Sequence, residues 1–201
     1  MESYLVAVAV VTAIYMLMTF GLNLQYGFTG LINFGLVGFF AIGAYVVAIL
    51  TVDHGWAFWP AFVASGVFSA VFGFLVGIVS PRLKEHYFAI FTLCVGFIIY
   101  LLLDKWEALT HGSLGIINIA PPEGFGLIDF TRTIPFYYLV LFFLVLAIVL
   151  VSRISSSLVG RTFLAIRISD DLAQSLGINL MRNKVLAFVL STVYAGLAGG
   201  L

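Results

Sequence analysis

Six apolar runs, each close to the length of a membrane-crossing helix, constrain this chain more than any other feature. They fall at Tyr4 to Leu22, Leu31 to Val52, Trp56 to Val79, Tyr87 to Leu103, Pro135 to Val151 and Val185 to Leu201. A helix needs about 20 apolar residues to cross the hydrocarbon core. Within lipid the backbone must satisfy its own hydrogen bonds, which for runs of this length means helices. The expected fold is therefore all-α, a polytopic transmembrane helical bundle of about six spans forming one transmembrane domain over residues 1–201. Composition agrees, since 9% of the residues are charged where a soluble domain carries about 25%. The second run is the weakest of the six. Its Gly30, Gly35, Gly38 and Gly43, with Asn33 among them, also fit a broken or re-entrant helix buried in protein.

The N-terminus, Met1-Glu2-Ser3, has no basic region, and the apolar stretch after it is too long for a signal-peptide core. It is expected to stay as the first membrane helix. Charge then sets the orientation. With the N-terminus outside, the loops Ser80 to His86 and Ser152 to Lys184 lie inside and carry seven of the nine Lys and Arg residues. The outer loops keep Lys105 and Arg132, an asymmetry that follows the positive-inside rule. Trp56, Trp59, Trp106, Tyr137 and Tyr138 fall near the predicted outer boundaries, where headgroup-level aromatics and ordinary packing aromatics are both expected. The 104–134 segment is the one long outer loop, with Pro121-Pro122, four Gly and the acids Asp104, Glu107, Glu123 and Asp129. It suits either a receiving surface for an external partner or a solvated connector, and its proline pair predicts extended backbone.

Several chemistries lack their residues. No charged side chain falls in the middle of a predicted span, which disfavours proton-coupled pumping. His54, His86 and His111 sit in or beside loops without metal-ligand spacing or an obvious carboxylate partner, so no metal is expected. Cys94, the single cysteine, lies inside an apolar run and reads as a small buried thiol. There is no catalytic pair at matching depth in two spans, and no phosphate loop, so ATP and its Mg would have to be bound by a separate subunit. Nothing points to nucleic acid as a partner; the lipid bilayer is one. Helix contacts should use small residues, because lipid supplies no hydrophobic drive for association. Gly73 and Gly77, Ser65 and Ser69, and Gly196 and Gly200 are spaced four apart and mark packing faces. Asn23, Gln25, Asn33 and Thr92 are polar residues near or in the spans that suit either a zwitterionic solute or interhelical hydrogen bonds.

The 152–184 loop holds Arg153, Arg161, Arg167, Arg182 and Lys184, and its inner part reads as a short helix at about 169–177. Ser169 is a good N-cap. Asp170 and Asp171 place negative charge at the positive end of the helix dipole. Leu172, Ala173 and Leu176 are expected to share a face, and Gly177 to supply the left-handed stop. A helix of about seven residues is marginal alone, so this face needs something to lie against: the membrane, neighbouring helices or a cleft on a partner.

These residues carry a resemblance. Asp171-Leu172-Ala173 followed by Gly177 resembles the E-A-A-x-x-x-G coupling loop of ABC importer permeases. Around it, Gly160-Arg161-Thr162-Phe163-Leu164-Ala165-Ile166-Arg167, Leu176-Gly177-Ile178-Asn179, Lys184-Val185-Leu186-Ala187-Phe188 and Ala195-Gly196-Leu197-Ala198-Gly199-Gly200 are similar in order and spacing to the branched-chain amino acid ABC permeases. Tyr26 to Gly35 and Phe39 to Tyr45 resemble that family's Gly-rich signature. Tyr87 to Leu93 resembles its Tyr-Leu-Ala-Ile-x-Thr-Leu block and points to the second of the two paralogous permeases.

The resemblance implies a subunit of the bacterial or archaeal cytoplasmic membrane that imports branched-chain or other neutral amino acids. It further implies a second permease, cytoplasmic ATPase subunits and a periplasmic or extracellular substrate-binding protein, with Ser169 to Gly177 as the coupling helix. Permeases for urea or short amides look similar, and a structural subunit of a membrane complex is the reading from outside the transport class. Leu36 replaces a His common among relatives, and the chain stops at Leu201 within a Gly-rich helix where relatives continue, so a C-terminal truncation is expected.

Overall fold

The computed structural model describes residues 2–79, 82–83, 85–117, 119, 121–122, 130 and 133–201. The outer acids Glu123 and Asp129, with Arg132 and Lys84, lie outside the described residues. The helices are α1 (Glu2–Leu22), α2 (Leu36–Val52), α3 (Phe58–Gly77), α4 (Glu85–Lys105), the short α5 (Glu107–Thr110), α6 (Thr133–Ser156), α7 (Leu158–Ile168), α8 (Asp170–Ser175) and α9 (Leu180–Gly200). Four stretches are long and apolar enough to cross a membrane: Tyr4–Gly27, Phe58–Gly77, His86–Lys105 and Thr133–Ser156. α2 is shorter, at 17 residues. With α9, these make the polytopic helical bundle expected from the apolar runs.

The second run is interrupted at its start. α1 widens into a π-helical turn at Asn23–Gly27 and ends at Gly30, whose φ of 76° is a left-handed value. The chain then stays non-helical until α2 begins at Leu36. Leu31 to Gly35 therefore form a break rather than the first turns of a span. α9 begins five residues before the apolar run it contains, because the Asn179 side chain accepts from the Arg182 amide at 3.0 Å and caps the helix there.

α9 occupies the middle of the bundle, packed against α1, α2 and α3, while α6 lies along α1 and α4 along α2. The α3–α9 seam is antiparallel and built from small groups. A Cβ on Gly73 would collide with Thr192, one on Gly196 with Ser69, and one on Gly200 would come within 2.9 Å of the Ser65 hydroxyl. Gly77 faces Phe188 across the same seam. Phe188 in turn meets Phe39 of α2 and Phe88 of α4 edge-on, at centroid separations of 5.7 and 5.6 Å, so one ring ties three helices.

Two local expectations change. Cys94 is exposed, not buried, because α4 packs mainly along α2 and presents the rest of its circumference outward. His111 has an acidic neighbour, Asp53 at 3.8 Å, brought close by the turn that follows α5. In the outer loop, α5 is held by the Thr110 hydroxyl, which donates to the Leu103 carbonyl at 2.6 Å, and Pro121 and Pro122 are non-helical.

Candidate functional site

α7 and α8 form an elbow hinged on one residue. Ser169 adopts extended backbone, with φ −164° and ψ 124°. Its amide donates to the Ala165 carbonyl at 3.2 Å and closes α7, while its hydroxyl accepts from the Leu172 amide at 3.3 Å and opens α8. α8 ends in a Schellman motif: Ile178 donates to the Ala173 carbonyl at 3.1 Å and Gly177 to that of Gln174 at 3.0 Å, with Gly177 at φ 80°. A helix of six residues is thus held at both ends by its own caps.

The apolar face expected on this helix divides. Ala173 is buried against the body of the protein, whereas Leu172 and Leu176 are 62% and 77% exposed and point away from it. They sit four residues apart, one turn along the same outward side. Ile168, 80% exposed, precedes them at the end of α7. Asp171 is exposed beside them. Asp170 has an internal role, pairing with the nearly buried Lys184 at the foot of α9. Removing either partner would strand a charge, and for Lys184 a buried one.

A second cluster occupies the α1–α2 break. Gln25, Asn33 and Thr92 are all buried, although Thr92 comes from α4. The Asn33 amide donates to Gln25 Oε1 at 3.1 Å, and its own oxygen accepts from the Gly35 amide at 2.9 Å. Thr92 Oγ1 accepts from the Phe34 amide at 3.1 Å. Irregular backbone buried among helices needs such partners, since its amide and carbonyl groups have no helical ladder to bond to. Gln25 Nε2 is buried without a hydrogen-bond partner among the described residues. Asn23 stands apart: it is exposed on the π turn. The structure thus gathers three of the four polar candidates into one network.

A contact invisible in the sequence joins the two clusters. Arg167 Nη1, two residues before the elbow, donates to the Gly27 carbonyl at 2.6 Å, across 140 residues of chain. That carbonyl lies at the C-terminal end of α1, where helix carbonyls lack intrahelical partners and the dipole favours a cation. The Asp170–Lys184 pair had a fainter signal, a lysine opening an apolar run and so needing a carboxylate once buried.

Comparison with known proteins matches this chain to one family. The model described as the branched-chain amino acid transport system / permease component covers residues 4–201. The chain is similar to the high-affinity branched-chain amino acid transport system permease protein LivM of Escherichia coli (strain K12), 36% identical over 98% of this chain and 51% of LivM. LivM of Salmonella typhimurium gives the same figures of 36%, 98% and 51%. LivH of Escherichia coli (strain K12) is 27% identical over 92% of this chain and 65% of its own length. The chain thus spans about half the length of the LivM proteins it matches. No solved structure matches it significantly. With nearly every residue inside the matched region, the chain belongs to the permease-component family of branched-chain amino acid transport systems.

Proposed function

We propose that this chain is a membrane permease subunit of an ABC importer for branched-chain or other neutral amino acids, energised by a separate ATPase. The observation that carries the reading is the outward side of α8, where Leu172 and Leu176 are exposed on a helix anchored behind by Ala173 and the Asp170–Lys184 pair. A rigid, doubly capped helix with apolar groups turned away from its own protein is a surface for receiving a push. The occupant is a cytoplasmic ATPase subunit, which binds the ATP and Mg; this chain performs no covalent chemistry. The seven cations of the loops on that side agree with a cytoplasmic location, and hence with an external N-terminus.

The substrate class rests on kinship with LivM and LivH, both named for branched-chain amino acid transport. The same kinship supports a second permease as partner in the membrane and an external binding protein that delivers the solute. The buried Gln25, Asn33 and Thr92 belong to the substrate pathway in this reading, exposed to a zwitterion when the break rearranges, with Asn23 at the exposed edge of the same turn.

The test is co-purification of the tagged, full-length permease with its ATPase in mild detergent, comparing native protein with Gly177→Arg and Leu176→Asp. Gly177→Arg strains a left-handed cap and puts a bulky cation on the docking side. Both variants are expected to insert normally and lose the ATPase. Retention of the ATPase by both would show that α8 is not the docking surface.

A further inference from the structure

A push received at α8 does work only if it reaches the membrane-embedded part, and the structure holds a short route for it. α7 and α8 share Ser169 as cap, so tilting α8 turns α7 about that residue. Arg167 sits two residues from the hinge and grips the Gly27 carbonyl at 2.6 Å. Gly27 closes the π-helical turn, a geometry often found at functional positions. Three residues later the helix ends at the left-handed Gly30, and the non-helical stretch held by Gln25, Asn33 and Thr92 follows. The opposite side of α8 is pinned to α9 through Asp170 and Lys184. One end of the elbow is thus tied to the central helix of the bundle and the other to its break.

We propose that Arg167 is a positioning residue for transport, transmitting displacement of the α7–α8 elbow to the α1–α2 break through its bond to the Gly27 carbonyl. The inference rests on the reading of α8 as the ATPase-docking helix. A guanidinium suits the task because it stays charged and holds a fixed fork of donors, whereas an ammonium is a single flexible point. The bond is charge-assisted, at a helix C-terminus that favours a cation, so it survives modest motion of either helix.

The experiment uses the assembled full-length transporter in proteoliposomes and reads transport of a branched-chain amino acid per ATP hydrolysed. Arg167→Gln should co-purify with the ATPase as native protein does and hydrolyse ATP, with transport per ATP lowered about tenfold, the factor for losing one hydrogen bond to a charged group. Arg167→Lys should fall between the two, lowered about threefold, since an ammonium still donates to the same carbonyl. A native ratio in Arg167→Gln overturns the inference, and so does loss of the ATPase from that variant, which would make Arg167 part of the docking surface. Should Arg167→Gln fail to insert in the membrane as a folded subunit, Arg167→Lys alone decides, with a native ratio counting against transmission. Leu176→Asp and Gly177→Arg serve as controls: if both keep the ATPase, the docking reading falls and takes the inference with it. If either loses the ATPase while Arg167→Gln transports normally per ATP, the inference alone falls.

Discussion

The α3–α9 seam and the α4 helix are both apolar, yet they are packed in opposite ways. Along the seam, Ser65, Ser69, Gly73 and Gly77 mesh with Gly200, Gly196, Thr192 and Phe188 at intervals of one turn, and the backbones approach as closely as side chains allow. α4 keeps Phe88 and Thr92 inward and turns Ile90, Leu93, Phe97, Ile98 and Leu102 outward. In lipid, exposing those side chains costs little, because hydrocarbon tails are as apolar as leucine. Stability in such a bundle comes from fit, and fit is concentrated where side chains are smallest.

That contrast can be broken by matched enlargements. Gly43→Leu, on the α2 side of the same α9 helix and facing Gly196 of the seam, should have the largest effect, because even its Cβ would collide with the Gly196 backbone. A loss of about 3 kcal/mol or more is expected from overpacking, read as collapse of the monodisperse size-exclusion peak in detergent. Asn33→Leu comes next. It strands the Gly35 amide and the Gln25 carbonyl oxygen, at a cost of about 1–3 kcal/mol, seen as a lower thermal-inactivation midpoint. Asp170→Asn should cost about 1–2 kcal/mol by leaving the buried Lys184 ammonium a neutral acceptor. Protease sensitivity of the 152–184 segment, greater than in native protein, would register it. Ile98→Phe is the counterpart of Gly43→Leu on α4, where the same kind of enlargement should change stability by under about 0.5 kcal/mol. A large effect there, in the isolated subunit, would mean that α4 is packed like the centre. Cys94→Phe completes the series, since a change of under about 0.5 kcal/mol is expected for an outward side chain and a larger loss would place that part of α4 inside.

How much of this was legible in the sequence depended on distance along the chain. The six helices, the Ser169 cap and the Gly177 stop are local events, written in run lengths and in residues a few positions apart. The weakness of the second run was legible too, from its glycines and Asn33. What a helix faces was not. α4 is apolar all round, so no periodicity distinguishes Cys94 from Phe88, and the thiol was expected inside. Ala173 and Leu172 are neighbours of similar character, and only the body beneath α8 decides that one is covered and the other displayed. The polar network shows both sides of this limit: Gln25 and Asn33 are eight residues apart, but their link to Thr92 depends on α4 lying across the break. The grip of Arg167 on Gly27 had no local trace at all.

The central place of α9 has a consequence for how the protein is made. Its neighbours α1, α2 and α3 leave the ribosome first, and their small-residue grooves must wait in the membrane, lined by lipid, until α9 arrives. α9 opens on Arg182, Asn183 and Lys184, the most polar entry of any of these spans, and Lys184 can be housed only once Asp170 is beside it. Assembly therefore has a keystone order, in which α9, entering after the three helices it joins, closes the arch and brings the elbow into register in the same event.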